Sequence, residues 1–267
     1  MTDVDGVSRS GVAQRVRPVA KPVEQYALRL GDDALLLSFR LTERVTGVPG
    51  LEEEAALAGI AHQLRVHARF LLAAAGQSTA QDEDLLAYRR ADREYRNALI
   101  VELPNGDFAH TMVRMLFFSA YQRALYRALD HSADANLAAF AVKALHEVEY
   151  HFEYSAEWTI RLGDGSEESH DRVAAAVAEL WPYTAELFAA DDLICSLVSD
   201  GVAADPITLQ GEWSEQVGAV LARATLGVAP TGAWRPSGGR AGRHTRALDD
   251  LLGRMRSFHR AHPGAAW

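Results

Sequence analysis

One stretch of the sequence places a carboxylate and an imidazole in the middle of an otherwise apolar helix. The segment LAAFAVKALHEVEYHFEYSAEWTI, residues 137–160, carries Glu147 and His151. Residues four apart lie on the same side of a helix, so these two side chains share a face. Helical bundles that bind two iron ions use such residues, but with Glu-x-x-His spacing, and here the third position is Tyr150. The pattern predicts either metal ligands or a hydrogen-bonded, partly buried pair.

A di-iron site needs about six protein ligands, four carboxylates and two histidines, and most of them are missing here. In the first helix Glu43 follows Leu36 by two turns, so it is a candidate that faces inward. The simpler interpretation of Glu43 is an ion pair with Arg40 or Arg44. The expected central positions of the second and third helices supply one further histidine and no carboxylate: Gln63, Val66, His67, Met112, Met115, Ser119 and Gln122.

Other acid–histidine pairs in the sequence have simpler explanations. Asp107 precedes His110 and Glu167 precedes His170, but both acids stand where a helix begins, a position that favours carboxylates as caps. The string HEVEYH is not a zinc-protease motif, because His146 and His151 are five residues apart and diverge around the helix. We therefore predict no working metal site and treat Glu43, Glu147 and His151 as vestigial candidates.

Helical periodicity runs through nearly the whole chain. Four long helices are predicted: one from Pro22 that ends before Gly47, Pro49 and Gly50, one over residues 51–75, one over about 107–129, and one from the cap Asp134 to about Gly163. A fifth helix over 167–187, kinked at Pro182, a sixth from Asp205-Pro206 and a last one over about 246–261 follow. The pattern predicts an all-α fold, a four-helix bundle with additional C-terminal helices.

Composition narrows the classes of function. A net charge of −9 over 267 residues argues against nucleic-acid binding, which needs a basic surface. The single cysteine, Cys195, excludes an internal disulfide, and its apolar neighbours in LICSLV predict a buried structural thiol. No apolar run reaches the length of a membrane span, and residues 1–20 lack the apolar core of a signal peptide. We expect a cytoplasmic protein with a disordered arm over 1–20 and a single domain over 21–267.

Two arginine-rich segments are candidates for anion binding. RRADREYR covers residues 89–96, and RPSGGRAGRHTR, residues 235–246, combines glycines with four arginines and His244. Such a segment suits a phosphate or an acidic partner, and the alternative is a flexible, solvated loop. The aromatic residues Trp234 and Trp267 near this segment are candidate anchors on a partner.

Taken in order, several segments are similar to one enzyme family. The chain resembles the C subunits of ring 1,2-phenylacetyl-CoA epoxidases, multicomponent di-iron monooxygenases of phenylacetate degradation. The similarity extends from about Tyr26 to Trp267. The segments that carry it are EQYALRLGDDALLLSFRLTE, ELPNGDFAHTMVRMLFF, LAAFAVKALHEVEYHFEYSAEW, RLGDGSEES, LWPYTAELF and GVAADPITLQGEW.

The resemblance implies a ferritin-like bundle that has no iron of its own. It implies a structural role beside a catalytic A subunit, which carries the di-iron centre and binds the acyl-CoA, with NADPH and oxygen as co-reactants of the complex. Two alternatives stay open. One is a ferritin-like metal-dependent oxidase or oxygenase that uses Glu43, Glu147, His151 and His67. The other is a helical regulatory protein that binds acyl-CoA through the arginines of 235–246. A homodimer of the isolated chain is a further expectation.

Overall fold

The computed structural model describes residues 20–227, 234–257 and 261, and within these residues the chain is helical, with no strand. Most of the predicted arm over 1–20, and Trp267, lie outside the described residues. The helices, in chain order, are α1 (Pro22–Arg44), α2 (Leu51–Ala75), α3 (Glu83–Tyr88), α4 (Leu99–Glu102), α5 (Phe108–Leu129), α6 (Ala135–Gly163), α7 (Glu167–Leu180), α8 (Asp192–Ser199), α9 (Pro206–Arg223) and α10 (Arg246–Met255). Short 3₁₀ helices cover Val45–Gly47, Asp92–Glu94, Trp181–Phe188 and Gly239–Ala241.

The helix starts follow local sequence signals. The Asp107 side chain accepts a hydrogen bond from the His110 backbone N–H at 2.9 Å, and Asp134 caps α6 in the same way. Ser166 caps α7, and Asp205 caps α9 just before a proline in the first turn. These side chains satisfy backbone N–H groups that have no partner inside the helix. The predicted starts of these helices are confirmed.

The four long helices, α1, α2, α5 and α6, surround one apolar core. The pairs α1–α2 and α5–α6 are each joined by a short loop, and their facing sides are closely packed. Gly31 of α1 lies against Leu72 of α2, where an added Cβ would come within 3.0 Å of that side chain. The core reaches from Tyr26 to Met255 and includes the middle of every long helix. The predicted all-α, four-helix-bundle fold is confirmed.

The later helices cover one side of this bundle. Trp213 of α9 is buried and donates a hydrogen bond from Nε1 to the Phe117 carbonyl of α5 at 2.8 Å. Helix α7 ends at Leu180, and the chain continues as a 3₁₀ helix through Pro182, in line with the predicted kink. Among the described helices, none is long and apolar enough to cross a membrane.

The structure corrects the prediction for Cys195. This residue lies on α8, a short helix that the sequence pattern did not predict, and its side chain is exposed. The apolar string LICSLV led to the wrong expectation because only Leu197 on this helix is fully buried against the core. Cys195 is therefore a surface thiol.

Candidate functional site

Glu147 and His151 lie in the middle of α6 but do not bond to each other. Each contacts α2 instead. His67 Nε2 is 2.7 Å from Glu147 Oε2, and His151 Nε2 is 2.8 Å from Gln63 Oε1. His151 is buried, whereas the Glu147 side chain is 37% exposed at the edge of the bundle. The expected Glu147–His151 pair is therefore replaced by two cross-helix pairs.

Burial disfavours the charged form of both central histidines. Burial lowers the pKa of His67, and this effect outweighs the nearby Glu147 carboxylate. Burial, together with the positive charge that His67 can carry, lowers the pKa of His151 to about 3. Each Nε2 donates to an oxygen acceptor, so the proton of each neutral ring is on Nε2. Nδ1 of His67 is buried without a hydrogen-bond partner among the described residues.

The remaining walls of the centre carry no carboxylate. On α5, the Ser119 hydroxyl donates to the Met115 carbonyl at 2.6 Å, and Gln122 Nε2 donates to the Tyr126 hydroxyl at 3.2 Å. A cavity of about 10 Å³ lies next to His151, about the smallest space that holds one water molecule. Within the described part of the chain, this cavity is lined by Leu37, Leu41, Ile60, Leu64, Met115, Phe118, Ser119, Gln122 and His151.

Three residues that the sequence placed at the centre lie elsewhere. Glu43 is at the exposed end of α1, where it pairs with Arg40 at 3.0 Å and with Arg254 at 2.6 Å. The ion pair that was the simpler interpretation is therefore present for Arg40. Val66 is 50% exposed and Tyr150 is 47% exposed, so both point away from the centre. The prediction of central positions for these residues was wrong because helical spacing gives only the relative direction of two side chains. It does not show which side of the helix packs against the rest of the bundle.

The acid–histidine pairs at helix starts are structural. The carboxylate of Asp107 caps α5, as expected, and His110 Nε2 lies 3.7 Å from Glu179 Oε1. Nδ1 of His170 donates to the Gly163 carbonyl at 2.7 Å, so this imidazole ties the start of α7 to the end of α6. In the described part of the chain, no three histidine, cysteine, aspartate or glutamate side chains are grouped closely enough to hold a metal ion.

The donor set of this bundle does not fit a di-iron centre. Two iron ions need several carboxylate oxygens that converge from four helices. Here α1 contributes leucines, α5 contributes methionine, serine and glutamine, and the one nearby carboxylate in the described chain, Glu147, is engaged by His67. These residues instead form a small hydrogen-bonded network, His67–Glu147 and His151–Gln63, inside an apolar core.

The loop over 235–246 is attached to the bundle through Arg240. Arg240 Nη2 pairs with the buried Asp33 of α1 at 2.7 Å, and Nη1 donates to the Arg29 and Arg96 carbonyls. Although burial disfavours the charge, Asp33 and Tyr121 raise the pKa of the Arg240 guanidinium. An anionic ligand would have to compete with the buried Asp33 carboxylate, so Arg240 is not available to an acyl-CoA phosphate.

Further contacts of Gly238, Gly239 and His244 hold the same loop, while Arg235, Arg243 and Arg246 are exposed to solvent. The backbone N–H groups of Gly238 and Gly239 donate to Glu186 at 2.7 and 2.9 Å. His244 Nδ1 lies 2.8 Å from Glu102, and this hydrogen bond, set against burial, raises the pKa of His244. The loop therefore connects three distant parts of the chain.

The other arginine-rich segment, 89–96, is also built into the fold. Arg90 forms a two-pronged pair with the buried Asp32 of α1, and Arg256 pairs with Asp92 at 2.7 Å. The sequence analysis missed these buried acids, Asp32, Asp33, Glu102 and Glu186. For Asp32 and Asp33, the sequence did contain a sign of burial, because the two adjacent aspartates of GDD fall within the apolar line of α1.

Comparison with known proteins identifies relatives over nearly the whole chain. Residues 13–267 match the family described as "Phenylacetic acid catabolic protein". A curated relative, the C subunit of 1,2-phenylacetyl-CoA epoxidase from Escherichia coli (strain K12), is 42% identical over 243 residues, which is 91% of this chain and 98% of the relative.

A solved structure supports the fold assignment. It is a Synechococcus protein with aldehyde deformylating oxidase activity, and it superposes with a TM-score of 0.55 at 20% identity. The match covers 87% of this chain and 96% of the other. At this identity the likeness establishes the ferritin-like fold, as the sequence predicted, and carries no further functional argument.

Proposed function

The chain belongs to the phenylacetic acid catabolic protein family, and we propose that it is the non-catalytic, structural subunit of a 1,2-phenylacetyl-CoA epoxidase. Its relative from Escherichia coli bears the name of the C subunit of that enzyme and is matched over 98% of its length. An enzyme whose subunits are named by letter has several of them, so this chain is one component of a multi-subunit enzyme of phenylacetate catabolism.

The observation that carries the proposal is the composition of the bundle centre. A catalytic bundle of this fold presents carboxylates from four helices, whereas α1 and α5 present leucine, methionine, serine and glutamine here. We propose that oxygen chemistry takes place on a partner A subunit with a di-iron centre, in an NADPH- and oxygen-dependent complex. A cytoplasmic location fits this role and is part of the proposal.

Co-expression with the catalytic subunit tests the partner. We expect one complex on size-exclusion chromatography that contains both chains. Failure of the two chains to form a joint complex would remove the proposal. The isolated chain, analysed by the same method, reports separately whether it forms a homodimer.

Metal content tests the absence of a catalytic centre. We expect the iron of the complex to follow the catalytic subunit, with much less than one iron per chain in the purified structural subunit. Epoxidation by a complex that carries Glu147→Gln is expected to stay within about two-fold of wild type. Two irons per isolated chain, lost on Glu147→Ala, would contradict this proposal.

The second candidate is a ferritin-like oxidase or oxygenase with an unusual site. It is favoured by the pair His67–Glu147 beside His151, because the ring centroids of the two histidines lie only 6.5 Å apart. For this function Glu147 would have to leave His67 and ligate a metal with both imidazoles. Spectroscopic titration with Fe²⁺ or Co²⁺ discriminates, because a true site gives saturable ligand-field bands that His151→Gln removes.

A further inference from the structure

Helix α2 carries a line of apolar and small residues on its exposed side, next to the exposed polar residues His62 and Arg69. Its outward positions recur at steps of four, seven, four and three, and Val66 is 50% exposed and Phe70 44% exposed. The line is Ala55, Gly59, Val66, Phe70 and Ala73. Bulky apolar side chains grouped in this way on an exposed surface indicate an interaction site.

Helix α6 continues the same surface. Phe70 stacks on Phe140 with ring centroids 5.1 Å apart, and Tyr150, 47% exposed, contacts Tyr154 at 6.1 Å between centroids. The cross-helix pair of His67 with Glu147 joins the two helices beneath this surface. We call the set Ala55, Gly59, Val66, Phe70, Ala73 and Tyr150 the α2–α6 face. No described element packs over it.

The exposed large apolar residues outside α2 and α6 do not form such a group. Ile207 is 80% exposed at the start of α9, and Trp234 is 62% exposed beside the loop over 235–246. Isolated apolar side chains are normal on a protein surface, whereas a contiguous patch indicates an interaction site. The α2–α6 face is the patch, and Ile207 serves as a matched isolated residue.

Small residues at one end of the face permit a close approach by a helix. A Cβ added to Gly59 would meet nothing within 4 Å, so this glycine serves no packing need within the described chain. Gly59 and Ala55 leave a shallow depression in the surface of α2, beside the bulky Val66 and Phe70. A partner helix with larger side chains fits into this depression.

Exposed glutamates at one end of the α2–α6 face indicate a partner surface with basic residues. The cross-helix pairs show that α2 and α6 run in opposite directions, because Gln63 is opposite His151 and His67 is opposite Glu147. The start of α2 therefore lies beside the second half of α6, where Glu52 and Glu157 are exposed. In the described part of the chain neither makes an ion pair, in contrast to Glu149, which pairs with Arg127. A partner helix with Arg or Lys at this end is complementary.

We propose that the α2–α6 face is the surface on which the catalytic di-iron subunit docks, through an apolar helical surface bordered by basic residues. This inference rests on the proposed function for the identity of the partner. It adds the location, the apolar character and the acidic border of the contact, and it assigns Gly59 as a point of close approach.

A bulky side chain at Gly59 tests the location. Gly59→Trp places an indole in open space, so the isolated chain is expected to fold, whereas docking would be blocked. Gly211→Trp on α9 is the matched control, because Gly211 is also an exposed helical glycine with nothing within 4 Å of an added Cβ. We expect Gly59→Trp to weaken binding to the catalytic subunit by about ten-fold or more and Gly211→Trp to leave it unchanged. Circular dichroism and thermal unfolding of each isolated variant report its folding.

A second pair of variants tests the apolar and charged parts. Phe70→Asp is expected to weaken binding as Gly59→Trp does, and Ile207→Asp to have no effect. Glu52→Lys with Glu157→Lys is expected to slow association and to reduce its dependence on salt. Folded Gly59→Trp and Phe70→Asp variants that bind with wild-type affinity would overturn the proposal.

The wild-type measurement separates this inference from the proposed function. If the wild-type chain does not bind the catalytic subunit, the proposed function fails. If wild type binds and the face variants bind equally, only the assigned surface is wrong. Variants that lose self-association of the isolated chain but keep the joint complex would also overturn the proposal, since the face would then serve a homodimer.

Discussion

Glu147 and His151 show how two side chains on one helix face can serve different neighbours. His151 points into the core and donates to Gln63, whereas Glu147 lies at the rim and accepts from His67. Because each polar group finds its partner on α2, the network joins the two hairpins of the bundle where an active relative would hold metal. A neutral imidazole in an apolar core is also sensitive to acid.

Stability in mild acid is expected to depend on His151. Its pKa is about 3 in the folded chain, below the ordinary value of about 6.5 that applies when unfolded. As pH falls below about 6.5 the unfolded state gains a proton that the folded state excludes, so this residue lowers the free energy of unfolding by about 1 kcal/mol per pH unit. Above that pH the contribution disappears. Urea unfolding of wild type and His151→Gln between pH 7 and pH 5 measures the difference in slope.

The exposed His146 on the same helix provides the control for this titration. His146→Gln is expected to keep the wild-type dependence on pH, and His151→Gln to have a flatter one. Equal slopes for wild type and His151→Gln would show that His151 titrates normally in the folded chain. The comparison with wild type also cancels the contribution of His67, which both proteins retain.

At the scale of elements, the loop over 235–246 acts as a clamp on the bundle. It brings Arg240 to Asp33 of α1, His244 to Glu102 of α4, and two glycine N–H groups to Glu186. Gly239 permits this, because a Cβ there would lie 2.2 Å from the Asn97 carbonyl oxygen. Removing one member of a buried ion pair leaves the other charge without compensation.

Arg240→Ala is therefore expected to lower the free energy of unfolding by about 3–5 kcal/mol. Arg243→Ala, three residues away and exposed, should change it by no more than about 0.5 kcal/mol. Chemical denaturation of both variants measures these values. A second variant, Arg240→Met with Asp33→Asn, removes both charges and should recover part of the loss. An Arg240→Ala protein as stable as wild type would show that the pair does not hold the loop.

The sequence predicts the helices better than it predicts their surroundings. Asp134, Ser166 and Asp205 cap helices because capping depends on residues within one turn, which the sequence shows directly. The Asp33–Arg240 pair joins residues separated by 207 positions, and no local pattern marks such a contact. Likewise, the spacing of Val66 and Tyr150 gave their helical direction, but only the packed bundle shows that this direction faces outward.

At the scale of the whole molecule, the bundle is covered unequally. On one side, α9 packs on α5 and α6 and inserts Trp213, while α10 and the loop over 235–246 close over α1 and α4. The opposite side, formed by α2 and α6, has no such cover from the described residues and carries the exposed Val66, Phe70 and Tyr150. Exposed apolar surface is unfavourable for a protein that acts alone. In a multi-subunit complex, a partner chain that packs on the α2–α6 face would bury this surface.

Hydrogen exchange on the complex is expected to reflect this asymmetry. When the catalytic subunit binds, peptides from α2 and from the middle of α6 should gain protection, because partner contact suppresses the local opening that exposes helical amides. Peptides from α9 should exchange at the same rate in the free and bound chain, since α9 lies on the covered side. Mass spectrometry of free and bound chain at equal pH and temperature measures both. Protection confined to α9 or to residues 235–246 would place the partner on the opposite side, and the open α2–α6 face would then need another explanation.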